Sequence, residues 1–358
     1  MSKRIILFYI FSYLLSYSRS QLYPTCDVGL NPVSPVVYAK DVYLSDFNIF
    51  LSIGDTVLSG FAANDASNAS VNEYRGLSFV TGNSTNAWTI RNIFTTGTGA
   101  AIYGGSANLL NGIRGTNVYY PTYDGLNGAS KGNEQSLDSQ MSFVINQGSA
   151  YFGGSTFNNT KWKMVNVYIG LFKACSICSG IEAAYQTMPG FWQSYYYDLI
   201  TSLTAAFPNK AIINMIGLPQ LSQFYSSTPS NCKTYNQANN ICPCLWSQSS
   251  TTLKSVIDAA NQGLKNAIQY WRSDVDQTTT TVGVVYQPFM TNTTYTSGTL
   301  SAVDCFHPSA TGHKLMTIGL WNNIRQKASG DKATSVTTST DLICEDTFDG
   351  VYDPNGLY

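Results

Sequence analysis

The chain has 358 residues, a formal net charge of −1 at pH 7 and only 11% charged residues. Nucleic-acid binding draws its affinity from clustered Lys and Arg that displace phosphate counterions. No basic stripe is present, so composition excludes nucleic acid as a partner. The length suits one large α/β domain with a single substantial core.

At the start, Lys3 and Arg4 precede an apolar run from Ile5 to Leu15, followed by the small residues Ser18 and Ser20. That order predicts a secretory signal over residues 1–20. The run is too short to span a hydrocarbon core of about 30 Å. Residues 21–46, with Cys26 and several prolines, read as an irregular N-terminal arm.

Four short β-branched or aliphatic runs then stand as strands, at 47–54, 163–170, 211–218 and 278–287. Each ends near Gly, Pro or polar residues. Helix-like segments separate them, most clearly 251–272. There Leu253, Val256, Ile257, Ala260, Leu264, Ala267, Ile268 and Trp271 recur at helical spacing, and Thr251 is the expected cap. Strands alternating with long helices predict a mainly parallel central sheet covered on both faces. The fold class is therefore α/β, one domain over 47–328, with a C-terminal tail at 329–358. In such sheets sites form beyond the carboxyl ends of the strands, where Asp55, Thr56, Leu171 and Phe172 fall. Insertions rich in Gly, Asn, Ser and Tyr occupy 95–132 and 226–250.

Eight cysteines follow the leader: Cys26, Cys175, Cys178, Cys232, Cys242, Cys244, Cys305 and Cys344. An even count in an exported chain predicts disulfides, although eight cysteines allow about 105 pairings. The pair Cys175-Ser-Ile-Cys178 has no second pair at zinc spacing and no His nearby, which favours structural bridges over a metal site. Glycosylation sequons occur at Asn68, Asn83, Asn158 and Asn292.

The two histidines, His307 and His313, both lie in DCFHPSATGHKLM. Histidine is the side chain best suited to general-base work near neutral pH. Asp304 precedes His307 by three residues, close enough for a short turn to let the carboxylate orient the imidazole and hold its tautomer. The alternative is a surface turn opening a helix at about Thr311. His313, inside that helix start, is expected to pack or cap.

Several segments taken in order, Gly54-Asp55-Thr56-Val57-Leu58-Ser59-Gly60, EYRGLSFVTGN from Glu73, LNGASKG ending at Gly132, VYIGLFKACSIC from Val167, VVYQPF from Val284 and DCFHPSATGHKLM from Asp304, resemble the phospholipase B-like branch of the GDSL, or SGNH, hydrolases. The resemblance runs over about residues 33–325. It implies a three-layer SGNH domain that hydrolyses lipid or other ester bonds without metal or organic cofactor, and peripheral contact with membrane lipids suits that role.

It also implies roles for particular residues. Asp304 and His307 match the family's last block, and Gly132 matches an oxyanion-hole glycine. At the nucleophile position stands Thr56 in place of Ser, its amide also an expected oxyanion donor. At the oxyanion asparagine stands Phe172, flanked by Leu171 and Lys173. Threonine keeps a hydroxyl that a base can deprotonate, but its methyl stiffens the first torsion and crowds a tight turn. Phenylalanine cannot donate a hydrogen bond, and one lost oxyanion donor costs on the order of 10²–10³ in turnover. Ser59, a helical turn away, is a poor substitute nucleophile. The expected function is a secreted phospholipase B-like lipase or esterase working through Thr56. The alternative is an impaired relative that holds a lipid or ester ligand in the same cleft.

Overall fold

The computed structural model describes residues 26, 28, 35–67, 71–98, 102–108, 118–130, 137–326, 330, 332–344 and 350–355. The expected signal at 1–20, the sequon at Asn68 and the candidate Gly132 lie outside the described residues.

The aliphatic runs form β1 (Phe47–Gly54), β2 (Trp162–Tyr168), β3 (Ala211–Ile216) and β4 (Val282–Gln287). They stand side by side in chain order, and every neighbouring pair is parallel. Parallel neighbours cannot be joined by hairpins, so each connection must cross over through a longer segment. Helices α1 (Ile90–Thr98) and α2 (Leu137–Phe152) lie in the first crossover, and α3 (Leu171–Ser176) and α4 (Pro189–Ala206) in the second. The third carries α5 (Ser230–Ala238) and α6 (Ser250–Asp274), and α7 (Ala310–Arg325) follows β4. Every residue of β2, β3 and β4 is buried, as expected of a parallel sheet covered on both faces. The fold is a single three-layer α/β domain, a parallel sheet between layers of helices.

Helices α4 and α6 approach closely because Gly263 has no side chain. A Cβ there would lie 2.4 Å from that of Trp192. Helices α1 and α7 meet through Phe94 and Trp321, with ring centroids 5.3 Å apart.

Three polar residues inside the apolar strands form a chain across the sheet. Gln287 Nε2 donates to Asn214 Oδ1 at 2.7 Å, Asn214 Nδ2 to Asn166 Oδ1 at 3.0 Å, and Asn166 Nδ2 to the Leu51 carbonyl at 3.3 Å. A buried amide without partners would cost about 1–3 kcal/mol, so these bonds favour this lateral order of strands.

Two sequence expectations are corrected. The cap of α6 is Ser249, whose hydroxyl accepts from Thr252 N at 3.1 Å, and Thr251 lies inside the helix. Such a cap contributes about 1 kcal/mol. Strand β4 begins at Val282 because Asp276 captures the preceding residues. Its carboxylate accepts from Thr278 N at 2.9 Å and from Thr279 Oγ1 at 2.7 Å, an Asx-type turn that competes with extended backbone.

Four disulfides join Cys26 to Cys344, Cys175 to Cys242, Cys178 to Cys244 and Cys232 to Cys305. Segments at both ends of the chain pack on the domain. Val351 N donates to the Val42 carbonyl at 2.9 Å, Trp321 Nε1 to the Ile343 carbonyl at 2.8 Å, and Tyr352 is fully buried.

Candidate active site

Strand β1 ends in a tightly fixed turn. A Cβ at Gly54 would meet the Tyr168 carbonyl oxygen at 2.2 Å, so only glycine fits. Gly54 N donates to Gln140 Oε1 at 2.7 Å, and its carbonyl accepts from Ser130 N at 3.1 Å. Asp55 then closes the turn: its amide donates to the Tyr168 carbonyl at 3.2 Å and its Oδ1 accepts from Val57 N at 2.9 Å. These bonds fix the backbone on both sides of Thr56.

The Thr56 Oγ1 lies 2.8 Å from His307 Nε2, across a sequence separation of 251 residues. His307 Nδ1 in turn lies 2.5 Å from Asp304 Oδ2. The other carboxylate oxygen of Asp304 accepts from the Phe306 and His307 amides, both at 3.0 Å. A buried carboxylate is costly unless its lone pairs are met. Asp304, with no exposed surface, has these three partners. With Nδ1–H donated to the carboxylate, Nε2 is left as the acceptor for the Thr56 hydroxyl, so the ring is disposed to take its proton.

The turn carrying this pair is anchored from outside. Cys305, whose backbone is left-handed with φ of 50°, is tied to Cys232 of α5. Asn236, on the same helix, donates from Nδ2 to the Asp304 carbonyl at 2.8 Å. The ring of Phe61 stands 4.5 Å from the imidazole, centroid to centroid, and that of Phe306 5.4 Å.

Thr56 and His307 open into a cleft of about 140 Å³. Its apolar lining includes Phe61, Leu171, Phe172, Ile241 and Phe306, with Tyr235, Asn239 and Asn240 as polar groups. Phe172, at the expected donor position, lines the cleft and is 47% exposed. It projects from α3, whose entry is set by Gly170. That residue is left-handed at φ of 112°, and a Cβ there would strike the Tyr196 hydroxyl at 2.3 Å. Gly132 itself is undescribed, but Ser130, two residues earlier, is bonded to Gly54 at the end of β1.

The remaining candidates fall elsewhere. The Ser59 hydroxyl is buried and donates to the Thr56 carbonyl at 2.9 Å, a brace within the turn. His313 packs against Phe79 with ring centroids 6.1 Å apart, and the helix is capped by Ser309. Burial, helped by the nearby His307, pushes the His313 pKa down to about 3. Tyr235, Asn236 and Ile241 were not anticipated, since the 226–250 insertion shows no periodicity. Its cysteines are the sequence signal that links this insertion to the cleft: the C-x-C at 242 and 244 pairs with the C-x-x-C at 175 and 178, and Cys232 pairs with Cys305.

Comparison with known proteins identifies the family. A family model described as GDSL-like lipase/acylhydrolase matches residues 59–320. The chain is 30% identical over 184 residues to the membrane-associated phospholipase B1 of Homo sapiens, covering 49% of this chain and 12% of that protein. The Rattus norvegicus protein of the same description is 27% identical over 184 residues, again 49% and 12% of the two chains, and the Mus musculus one 25% over 173 residues, or 46% and 11%. The matched stretch thus spans only a small part of each relative. With the family match extending over most of its length, the chain belongs to the GDSL-like lipase/acylhydrolase family.

Proposed function

We propose that this protein hydrolyses carboxylic esters of lipids, with Thr56 as nucleophile, His307 as general base and Asp304 as the group that orients it. The observation that carries the reading is the pair of contacts Thr56 Oγ1 to His307 Nε2 at 2.8 Å and His307 Nδ1 to Asp304 Oδ2 at 2.5 Å. Thr56 Oγ1 attacks the ester carbonyl carbon as its proton passes to His307 Nε2. The tetrahedral intermediate collapses, and the departing alkoxide takes that proton to leave as alcohol. Water then attacks the acyl-threonine, giving its proton to His307, and the free acid leaves as Thr56 is reprotonated.

Phe172, at the position expected to supply an oxyanion donor, has no hydrogen-bond donor in its side chain. That observation favours a second reading, in which the cleft holds a lipid or ester without turning it over. Fluorophosphonate labelling followed by peptide mapping to position 56, with hydrolysis of a soluble nitrophenyl ester, separates the two. The catalytic reading expects labelling at Thr56 and a rate that Thr56→Ala and His307→Ala abolish. Equal rates for the three proteins overturn it.

Export belongs to the same proposal, with residues 1–20 as a cleaved signal. It is supported by the N-terminal charge and hydropathy pattern, by four disulfides and by exposed sequon asparagines Asn83 and Asn292.

A further inference from the structure

The mouth of the cleft is unusually poor in charge. Two segments flank it, 171–191 and 234–248, bound to each other through the Cys175–Cys242 and Cys178–Cys244 bridges. Across both segments the Asp, Glu, Lys and Arg residues number two, Lys173 and Glu182. These two neutralise each other, with Lys173 Nζ 3.3 Å from Glu182 Oε1.

Beside this cancelled pair stand large apolar side chains turned to solvent. Ile181 is 71% exposed, Met188 52% and Tyr185 45%, in addition to Phe172. They form one neighbourhood. Phe172 and Ile181 each precede a member of the ion pair, and Gln186, next to Tyr185, donates from Nε2 to the Lys173 carbonyl at 3.3 Å. Met188 N donates to the Tyr185 carbonyl at 2.9 Å. An apolar cluster of this kind at a surface marks a contact site. Phe172 lines the cleft and precedes Lys173, whose bond to Glu182 brings the segment carrying Ile181 and Tyr185 beside the site of chemistry.

We infer that the rim formed by Phe172, Ile181, Tyr185 and Met188 docks the protein on an electrically neutral lipid surface, so that an ester enters the cleft directly from that surface. The choice of lipid as occupant rests on the ester-hydrolase reading above. Two observations fix its chemistry. A cleft of about 140 Å³ is below the roughly 300–1,000 Å³ that encloses a drug-sized ligand, so the rest of a lipid must lie outside it, over the apolar rim. Docking on anionic lipid draws on clusters of Lys and Arg; here Lys173 is paired with a glutamate and Lys233, next to the second segment, lies over the Trp246 ring, which makes no cluster.

The test is co-sedimentation of the purified, disulfide-bonded protein with vesicles of phosphatidylcholine alone and of phosphatidylcholine with phosphatidylglycerol, at low and high salt. The parent is compared with the double variant Ile181→Ser, Met188→Ser. The two proteins share every other residue, so the difference reads the rim. The expected result is partition of the parent onto phosphatidylcholine, reduced about tenfold or more in the variant, as loss of two partly buried apolar side chains requires. Anionic lipid and salt change it less than twofold, and both proteins hydrolyse a soluble nitrophenyl ester equally. Three results overturn the inference: no partition of the parent, equal partition of parent and variant, or binding that needs phosphatidylglycerol and is lost in salt. A parent that sediments as a dimer while the variant is monomeric, with no difference on vesicles, assigns the patch to a second copy instead. Thr56→Ala separates this inference from the catalytic one. Vesicle binding that survives in a protein without esterase activity leaves docking standing and removes only the hydrolase reading.

Discussion

The two walls of the cleft differ in how deeply the fold commits to them. On one side the turn holding Asp304 and His307 is buried, and its carboxylate is met by two amides and an imidazole. That turn is tied to α5 by both a disulfide and the Asn236 side chain. On the other side Phe172 projects half-exposed from a short helix. A change at Asp304 would leave buried partners unsatisfied, whereas a change at position 172 leaves none. In the proposed mechanism the base and the oxyanion donor are thus separable parts of one constellation, the first fixed by the fold and the second replaced by a phenylalanine.

Substitutions on each wall sharpen this contrast. The largest effect is expected from His307→Ala, which lowers kcat/KM for a soluble ester by about 10³-fold or more. Steady-state kinetics at matched folded fraction checks it, and an unchanged rate would remove the imidazole from the reaction. On the opposite wall Phe172→Asn adds a donor and is expected to raise kcat by about 10²-fold, the reverse of deleting one. If kcat does not move, the second wall is not what limits turnover.

Thr56→Ser tests the point between the walls. Losing one methyl frees the first torsion, so fluorophosphonate labelling at position 56 should quicken, by less than the gain at 172. Slower labelling would mean that the turn depends on the β-branch for its shape.

A last test concerns His313, outside the cleft. His313 is neutral in the folded chain because its pKa is lowered from 6.5 to about 3. The unfolded chain takes up a proton as pH falls through the ordinary histidine range, and the folded chain does not. His313 therefore contributes fully above that range and loses its contribution as pH falls toward 3, by up to about 1.4 kcal/mol per pH unit. His313→Phe should flatten the acid limb of a urea-midpoint profile, and an unaltered slope would show that the ring titrates normally.

Much of the architecture can be read from local pattern. Aliphatic runs mark the strands, and the three-residue interval from Asp304 to His307 is short enough to imply contact. The parts that stay hidden depend on residues distant in sequence. Asn166, Asn214 and Gln287 look like flaws in apolar strands until their neighbours are known, when each amide is seen to bond the next. Asn236 reaches the Asp304 carbonyl across 68 residues from an insertion without periodicity. Thr251 looked like a helix cap by residue type alone, but the helix starts earlier, so Ser249 fills that position. The outlying start of β4 failed for a similar reason, as Asp276 offered its neighbours a competing turn.

The Cys26–Cys344 bridge, with a sequence separation of 318, makes most of the polypeptide a covalent loop. A protease that severs one peptide bond anywhere between those cysteines converts the loop into an opened string whose pieces remain attached. Nicked molecules would keep their full mass on a non-reducing gel and fall apart only with a thiol reagent present. Their halves, held at high effective concentration, can settle back into place. A protein so arranged tolerates cleavage of a surface loop that would otherwise shed part of its sheet.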